Sequence, residues 1–279
     1  MSATTAVAPS PRPSTPPARL SAVGILRSEW IKLRSVRSTV WSYAIIVVVS
    51  FAIALLLAAT ITFDGATPPA EMQTSLVLQA STFGIYFGQL VVCVLGVLTI
   101  SGEYSTGMIR STLTAVPKRL PALVAKTLVV FVTTVIVGLV SVFGSLLIAS
   151  PLLASQGVRA DYSDGTLIGN LLLGALYLGL TAVFALGLGA VLRNSAGGIA
   201  TALGTILLLP TVVSLIAALT RAQWASDLMP YLFSNAGTGM YTPGAGGTAL
   251  DQGQNTLVVL AWVAVSLIAG AVLLKRRDA

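Results

Sequence analysis

Long apolar stretches separated by short polar breaks run through most of the chain and predict its fold. Six of them are long enough to cross about 30 Å of hydrocarbon at roughly 1.5 Å per helical residue. They cover residues 42–62, 79–100, 127–149, 167–192, 195–219 and 256–274. The shortest break is Arg193-Asn194, which we interpret as a tight turn because 167–219 is too long for one span. The pattern predicts an all-α membrane protein with six transmembrane helices.

The flanking segments complete the predicted organisation. Residues 1–19 carry five prolines among Ser, Thr and Ala and predict a disordered tail. Residues 20–40 predict an amphipathic interfacial helix, 41–274 the six-helix domain, and 275–279 a short second tail. The first apolar run lies too far along the chain, and is too long, for a secretory signal peptide.

Composition agrees with this class and excludes several others. Hydrophobic residues make up 55% of the 279 residues and charged residues 9%, which is more apolar material than a soluble core needs. Cys93 is the single cysteine and there is no histidine. These two facts exclude disulfides within the chain, zinc sites built from His or Cys pairs, and acid–base catalysis by histidine.

The charge distribution predicts an orientation, because cytoplasmic loops are rich in Lys and Arg. With six spans, fourteen of the sixteen basic residues fall at one end and only Arg159 and Arg221 at the other. Six of the nine acidic residues fall at the end that is poor in basic residues. We therefore expect both termini in the cytoplasm, attraction to anionic membrane lipid, and no binding of nucleic acid.

The predicted spans lack the groups that couple transport to an ion gradient. Ion-coupled carriers keep carboxylates, lysines or histidines within their spans. None of the six predicted spans holds a charged residue, and Glu103 and Lys126 lie at the cytoplasmic edge. The Gly-rich segment 244–247 lacks the lysine of a nucleotide-binding loop. If this protein performs work, another subunit supplies the energy.

The segment before the first span has a basic, partly amphipathic pattern. Its apolar residues at i, i+3, i+7 and i+10 alternate with Arg and Lys; they are Val23, Leu26, Trp30 and Leu33. One interpretation is a helix lying in the headgroup layer, with Glu29, Trp30, Lys32 and Arg34 as its marker residues. The other is a solvated basic flank that only enforces the topology.

The segment after the second span reads Glu-Tyr-Ser-Thr-Gly-Met at positions 103–108. Ser105 can cap a short helix, and Pro117 lies just past its predicted end. The chain resembles the permease subunits of type-2 ABC exporters in this motif, in the basic segment 28–35, in its six spans and in a long outer loop before the last span. That family carries a Glu-x-x-x-Gly-Thr-like motif here, and Met108 stands where Thr is usual.

The resemblance implies a cytoplasmic loop that docks on a separate ABC ATPase. The residues it assigns to this contact are Glu103, Tyr104, Thr106, Gly107, Met108 and Arg110. It also implies a second permease copy or paralogue, with the substrate passing between the two. The chain itself would bind no cofactor and catalyse no reaction, since ATP and Mg would lie on the ATPase. We expect a multi-pass protein of the bacterial inner membrane.

Elimination leads to the same loop. Arg193-Asn194 is too short to hold a partner and the C-terminus is a ragged end, whereas 102–120 can form a short helix joined directly to two spans. Glu103 is the only acidic residue in that loop. Two roles are open for it: a structural salt bridge, with Arg110 or the N-terminal basic helix, or a direct coupling contact with the ATPase.

A polar stripe runs along one face of the second predicted span. Its members recur at helical spacing and are Thr82, Tyr86, Gln89, Cys93 and Gly96. They either pack against a neighbouring helix or line a substrate pathway or dimer seam. The fifth span has a face of small residues, Gly197, Thr201, Gly204 and Thr205, and Pro210 predicts a kink in it.

The leading functional hypothesis is the transmembrane subunit of an ATP-driven ABC exporter for a hydrophobic or amphipathic substrate. Lipids, amphipathic peptides and hydrophobic drugs all suit a pathway without fixed charge, and import, homodimers and heterodimers all stay open. One alternative is an ion-coupled secondary transporter. The other is a polytopic lipid-modifying enzyme, whose candidate groups on the outer side are Asp161, Asp164, Asp227 and Asp251.

Overall fold

The computed structural model describes residues 21–61, 68–115, 119–163, 165–244 and 250–276. Within these residues the chain is mostly helical, with no strand, and six helices are long and apolar enough to cross a membrane. This confirms the predicted all-α fold with six spans. The predicted tail at 1–19 and the last three residues of the chain lie outside the described residues.

The spans are built from eight of the twelve α-helices in the described residues. The first is α2 (Arg37–Thr60) and the second joins α3 (Ala70–Thr82) to α4 (Ile85–Ser105). The third, fourth and sixth are α6 (Leu120–Ser155), α7 (Thr166–Leu192) and α12 (Gln252–Arg276). The fifth comprises α8 (Ser195–Leu203), a π-helical turn (Gly204–Leu208) and α9 (Leu209–Thr220).

Four shorter helices connect the spans or precede them. They are α1 (Ala22–Ser35), α5 (Met108–Ala115), α10 (Gln223–Leu228) and α11 (Phe233–Tyr241). The predicted interfacial helix at 20–40 ends earlier than expected, because Val36 adopts an extended conformation and α2 begins at Arg37. Residues 37–40 therefore belong to the helix of the first span.

The second and third spans are longer than the apolar pattern predicts. The helices reach Met72–Ser105 and Leu120–Ser155, where the sequence predicts 79–100 and 127–149. Pro121 lies in the first turn of α6, where its missing N–H has no helical partner to lose, so it starts the helix instead of breaking it. As a result Lys126 lies more than one turn inside α6, and Glu103 lies in the last turn of α4.

The helix α7 occupies the centre of the bundle. It contacts α4, α6 and α12, while α2 packs on α6 and α4. Between α7 and α8 the chain makes the predicted tight turn, with Arg193 in the left-handed region (φ 52°) and the Asn194 side chain accepting from the Gly197 N–H at 2.9 Å.

The first described helix and the end of the last one both lie at the end of the bundle where α6 begins. There Arg119 and Arg193 donate to the carbonyls of Leu274 and Leu273, each at 3.1 Å. We call this the basic end, and the opposite end, which carries Asp161 and Asp251, the acidic end. Pro210 in the fifth span is accommodated by the π-helical turn that directly precedes α9, as expected where a proline removes a helical donor.

The segment predicted as a long outer loop before the last span folds back into the bundle. The helix α10 packs on α9 through Ala225 and Val213, and α11 returns along α7 and α12. At the tip, Trp262 Nε1 of α12 donates to the Tyr231 carbonyl at 3.0 Å. Trp262 lies ten residues into α12, so this re-entrant hairpin reaches about 15 Å from the acidic end.

Candidate functional site

The helix α1 packs across the basic end, but the face that it buries differs from the predicted apolar stripe. Glu29 and Leu33 are its buried residues, whereas Val23 and Trp30 are 72% and 47% exposed. The helix contacts α6 and α2. The Glu29 carboxylate therefore faces the bundle. Burying a charge is costly, so it needs partners of opposite charge there.

Four charged side chains from three helices meet beneath α1; we call Glu29, Lys32, Glu103 and Lys126 the charge network. The Lys126 ammonium donates to Oε2 of Glu29 and, at 2.8 Å, to Oε1 of Glu103. The Lys32 ammonium donates to Oε1 of Glu29 at 2.7 Å and to the same Glu103 Oε1 at 2.9 Å. Two carboxylates and two ammonium groups give the network no net charge.

The network extends to the loop helix α5. Lys32 gives a further N–H to the Thr112 hydroxyl at 3.1 Å. Its three contacts thus lie on α1, α4 and α5, while Lys126 adds α6. The short helix between the second and third spans is therefore tied to α1 and to both spans that it connects.

Burial makes these contacts strong and makes their loss costly. Glu29, Glu103 and Lys126 are each at most 4% exposed, so every charge here needs its partner. Burial lowers the pKa of Lys32, but its hydrogen bonds to Glu29 and Glu103 and their negative charges raise that pKa above its ordinary value overall. One acceptor is left over: no group in the described part of the chain donates to Oε2 of Glu103.

Tyr104, the next residue along, belongs to a second cluster at the same end. The Arg193 guanidinium lies over its ring, 5.1 Å from the centroid, and also binds the Leu273 carbonyl. Arg119 binds the neighbouring carbonyl of Leu274. Both arginines thus place positive charge at the C-terminal end of α12, where the helix dipole favours it. Adjacent residues of the 103–108 motif consequently contact different helices: Glu103 binds α1 and α6, and Tyr104 contacts Arg193 at the end of α7.

The rest of the predicted contact residues form the turn between α4 and α5. Thr106 is the C-cap of α4, and Met108 begins α5 with 42% of its surface exposed. Gly107 has φ +71°, a conformation that glycine adopts without strain, and its Cα faces open space. Arg110 lies in α5, and its side chain is outside the described residues.

Two residues of this site were missing from the sequence prediction. The sequence places Lys126 at the cytoplasmic edge and predicts no role for Thr112, yet both bind the network directly. Lys126 could have been found from its place directly before a long apolar run. An unpaired charge is costly there, so a buried partner is expected. Of the two roles predicted for Glu103, the structure contains a salt bridge to the N-terminal helix, through Lys32.

The polar stripe of the second span packs within the chain along most of its length. Thr82, Gln89 and Cys93 are buried, and the Tyr177 hydroxyl of α7 donates to Oε1 of Gln89 at 2.7 Å. Tyr86 differs, with 41% of its surface exposed. Gly96 is buried against α7 as well, so helix packing accounts for four of the five stripe residues, and Tyr86 is the one that reaches the protein surface.

The geometry describes a multi-pass membrane protein whose basic end binds a short helix into the transmembrane bundle. A family model described as "ABC-2 family transporter protein" matches residues 25–202, which is more than half of the chain. The matched region runs from α1 to the end of α8 and contains the whole charge network. The chain belongs to the ABC-2 family of transporters. No curated protein matches it.

Proposed function

We propose that this chain is the transmembrane subunit of an ABC exporter of the bacterial inner membrane. It would pair with a second permease copy or paralogue and move a hydrophobic or amphipathic substrate, while a separate ATPase subunit binds ATP and Mg. Membership of a transporter family supports the class. The observation that carries the coupling assignment is the charge network, which joins α5 to α1, α4 and α6.

The network provides a direct route for force. A partner that displaces α5 pulls on Thr112 and hence on Lys32, and through Glu103 and Lys126 on α4 and α6. Because α4 and α6 are single helices that continue into the second and third spans, a tilt at the basic end is transmitted along them. A flexible loop would absorb the same displacement.

This proposal requires the basic end to face the cytoplasm. In a Cys93→Ser background, a cysteine at exposed Ser155, near the acidic end, should react with a membrane-impermeant thiol reagent in intact cells. A cysteine at exposed Ser111 in α5 should react only after lysis. Labelling of position 111 in intact cells would exclude α5 as a docking site for a cytoplasmic ATPase.

The coupling test uses a charge-balanced pair, because Glu103→Ala alone leaves a buried ammonium without its partner. Glu103→Gln combined with Lys126→Met keeps the site neutral while removing the connection from α4 to α6. We expect this double variant to insert and co-purify with the ATPase, but to lose substrate-stimulated ATP hydrolysis and export. Arg27→Ala, an exposed change on α1, is the matched control.

Gly107→Val tests the turn separately. Valine is strained at φ +71°, so it should disturb the placement of α5 without touching the network. We expect lower ATPase stimulation, with asparagine at 107 closer to the parent because it tolerates this conformation better. If the charge-balanced pair and Gly107→Val both export at the parental rate, the coupling assignment is wrong.

The alternatives make different demands. A secondary transporter needs a titratable or ion-binding group free to change partners, whereas the charges of the network are paired with each other. In the described part of the chain, no group of three or more acidic or cysteine side chains could hold a metal. Transport that persists in proteoliposomes with an ion gradient and no ATPase would favour the secondary transporter.

A further inference from the structure

A cavity of about 350 Å³ lies directly beneath the charge network. It is bounded by α1, α2, α4 and α6, and its deeper part is apolar, with Leu95, Leu98, Val129 and Val130 among its lining residues. Its other end is lined by the four charged side chains. The charged end of such a cavity suits the headgroup of an amphiphile, and its apolar part suits the hydrocarbon chains.

The α4 wall of the cavity is a row of hydrogen-bond acceptors. Thr99, Glu103 and Thr106 line it at i, i+4 and i+7, on one face of the helix. Each threonine gives its proton to a backbone carbonyl, Leu95 O at 2.7 Å and Gly102 O at 2.8 Å, so that its oxygen can only accept. Glu103, 3% exposed, adds the Oε2 atom that receives no donor from the described residues.

The electrostatic field of this wall favours a cation. The row lies at the C-terminal end of α4, where the helix dipole is negative. Another wall is formed by the first two turns of α2, which carry the hydroxyls of Ser38, Thr39 and Ser42 and the positive end of that helix. Its N-cap residue is Val36, which has no polar side chain to bind the first N–H groups. This second wall favours an anion.

We propose that this cavity binds the zwitterionic headgroup of an aminophospholipid, of the phosphatidylethanolamine type. The primary ammonium donates to Glu103 Oε2 and to the hydroxyl oxygen of Thr99, one turn away on α4, and the phosphate lies against the first turn of α2. A primary ammonium has enough N–H donors for both acceptors, whereas a choline headgroup has none. The headgroup carries no net charge, so it leaves the neutral network balanced. This inference does not depend on the transport proposal.

The test removes one N–H donor at a time. The full chain, purified and delipidated in mild detergent, is titrated with phosphatidylethanolamine, its N-monomethyl and N,N-dimethyl derivatives, and phosphatidylcholine, and bound lipid is measured by native mass spectrometry. We expect affinity to fall along this series, most steeply once fewer than two N–H donors remain, by about tenfold in total, as loss of charge-assisted hydrogen bonds predicts. Equal binding of the first and last lipids would overturn the proposal.

Two threonines provide a matched pair of variants. Thr99 and Thr133 are both half-buried and both donate to the carbonyl four residues earlier at 2.7 Å, but only Thr99 lines the cavity. Thr99→Val should reduce the preference for phosphatidylethanolamine by about threefold or more, and Thr133→Val should leave it unchanged. In the Glu103→Gln/Lys126→Met double variant, the ratio of the affinities for phosphatidylethanolamine and phosphatidylcholine should approach one.

Anionic lipid separates this site from simple attraction to basic residues. Phosphatidylglycerol has the phosphate but no ammonium, so the parent protein should retain it no better than phosphatidylcholine at this site. If phosphatidylglycerol competes as strongly as phosphatidylethanolamine, or if Thr133→Val changes the preference as much as Thr99→Val, the acceptor row does not select the lipid and the proposal fails.

Discussion

Two of the polar contacts that the second span makes with other helices are of opposite kinds. At the basic end, Glu103 is held by two ammonium groups; near the middle of the bundle, Gln89 accepts one hydrogen bond from Tyr177. Charges are tolerated at the end, where paired groups lie close to headgroups and water, while the apolar middle contains only a neutral pair. The comparison teaches that the position of a polar residue along the span decides whether it carries a charge or stays neutral.

The largest expected effect is at the charged contact. Lys126→Met leaves Glu29 and Glu103 with Lys32 as their only partner and one buried negative charge in excess. We expect a loss of about 3–5 kcal/mol in stability, as for other broken buried ion pairs. Thermal unfolding followed by size-exclusion chromatography in detergent measures it.

Adding Glu103→Gln should restore most of the loss from Lys126→Met, because the double variant is neutral again. If the double variant is as unstable as the single one, shape and packing at Lys126 matter more than charge, and the contrast with the Gln89 contact disappears.

The next effect concerns the close approach of α4 and α7 that brings Gln89 to Tyr177. A Cβ at Gly96 would lie 2.3 Å from the carbonyl oxygen of Ala182, so Gly96→Ala must separate the two helices. We expect a destabilisation of about 1–3 kcal/mol, typical of overpacking. Gly102→Ala on the same helix is the control, since nothing lies within 4 Å of its Cβ and it should be neutral or stabilising.

Removing the neutral contact should cost less. Gln89→Leu leaves the buried Tyr177 hydroxyl without its acceptor, at about 1 kcal/mol. Adding Tyr177→Phe should recover that amount. Insertion should be intact in both variants, and a transport defect that persists in the stable double variant would favour a pathway or dimer-seam role for the stripe.

The smallest expected effect is that of pH between 6 and 9. The chain has no histidine, and the pKa of Lys32 is raised by its carboxylate partners. A raised lysine pKa gives stability that is present below the unfolded value of about 10.4 and is lost only as pH rises above it. Thermal stability in detergent should therefore stay level from pH 6 to 9; a sharp drop within that range would show that Lys32 titrates early and that its pairing is weak.

The sequence predicts the spans well because length and apolar composition decide whether a helix crosses a bilayer. It does not predict their placement. The fourth and fifth spans have nearly equal hydropathy, 2.2 and 2.3, yet 78% of the apolar window is buried in the first case and 17% in the second. Burial in a membrane protein follows close packing at residues such as Gly96, which hydropathy does not record.

The candidate site was predicted in part for a similar reason. The segment 103–108 can be found because its sequence resembles a family motif. Glu103 can be found because it is the only acidic residue in its loop. The inward direction of Glu29 was missed, since periodicity places it among polar residues of α1 and its partner Lys126 lies 97 residues away. Pairing over such a distance is a property of the folded bundle.

The re-entrant hairpin sets an order for biogenesis. The helix α11 rests on α7 and α12, and the Tyr231 carbonyl in the turn before it accepts a hydrogen bond from Trp262 of the last span. The segment between the fifth and sixth spans must therefore first be delivered to the acidic side of the membrane, and it can dock only after α12 has been inserted. A ribosome that stalls before α12 is complete leaves this segment without the surfaces on which it folds.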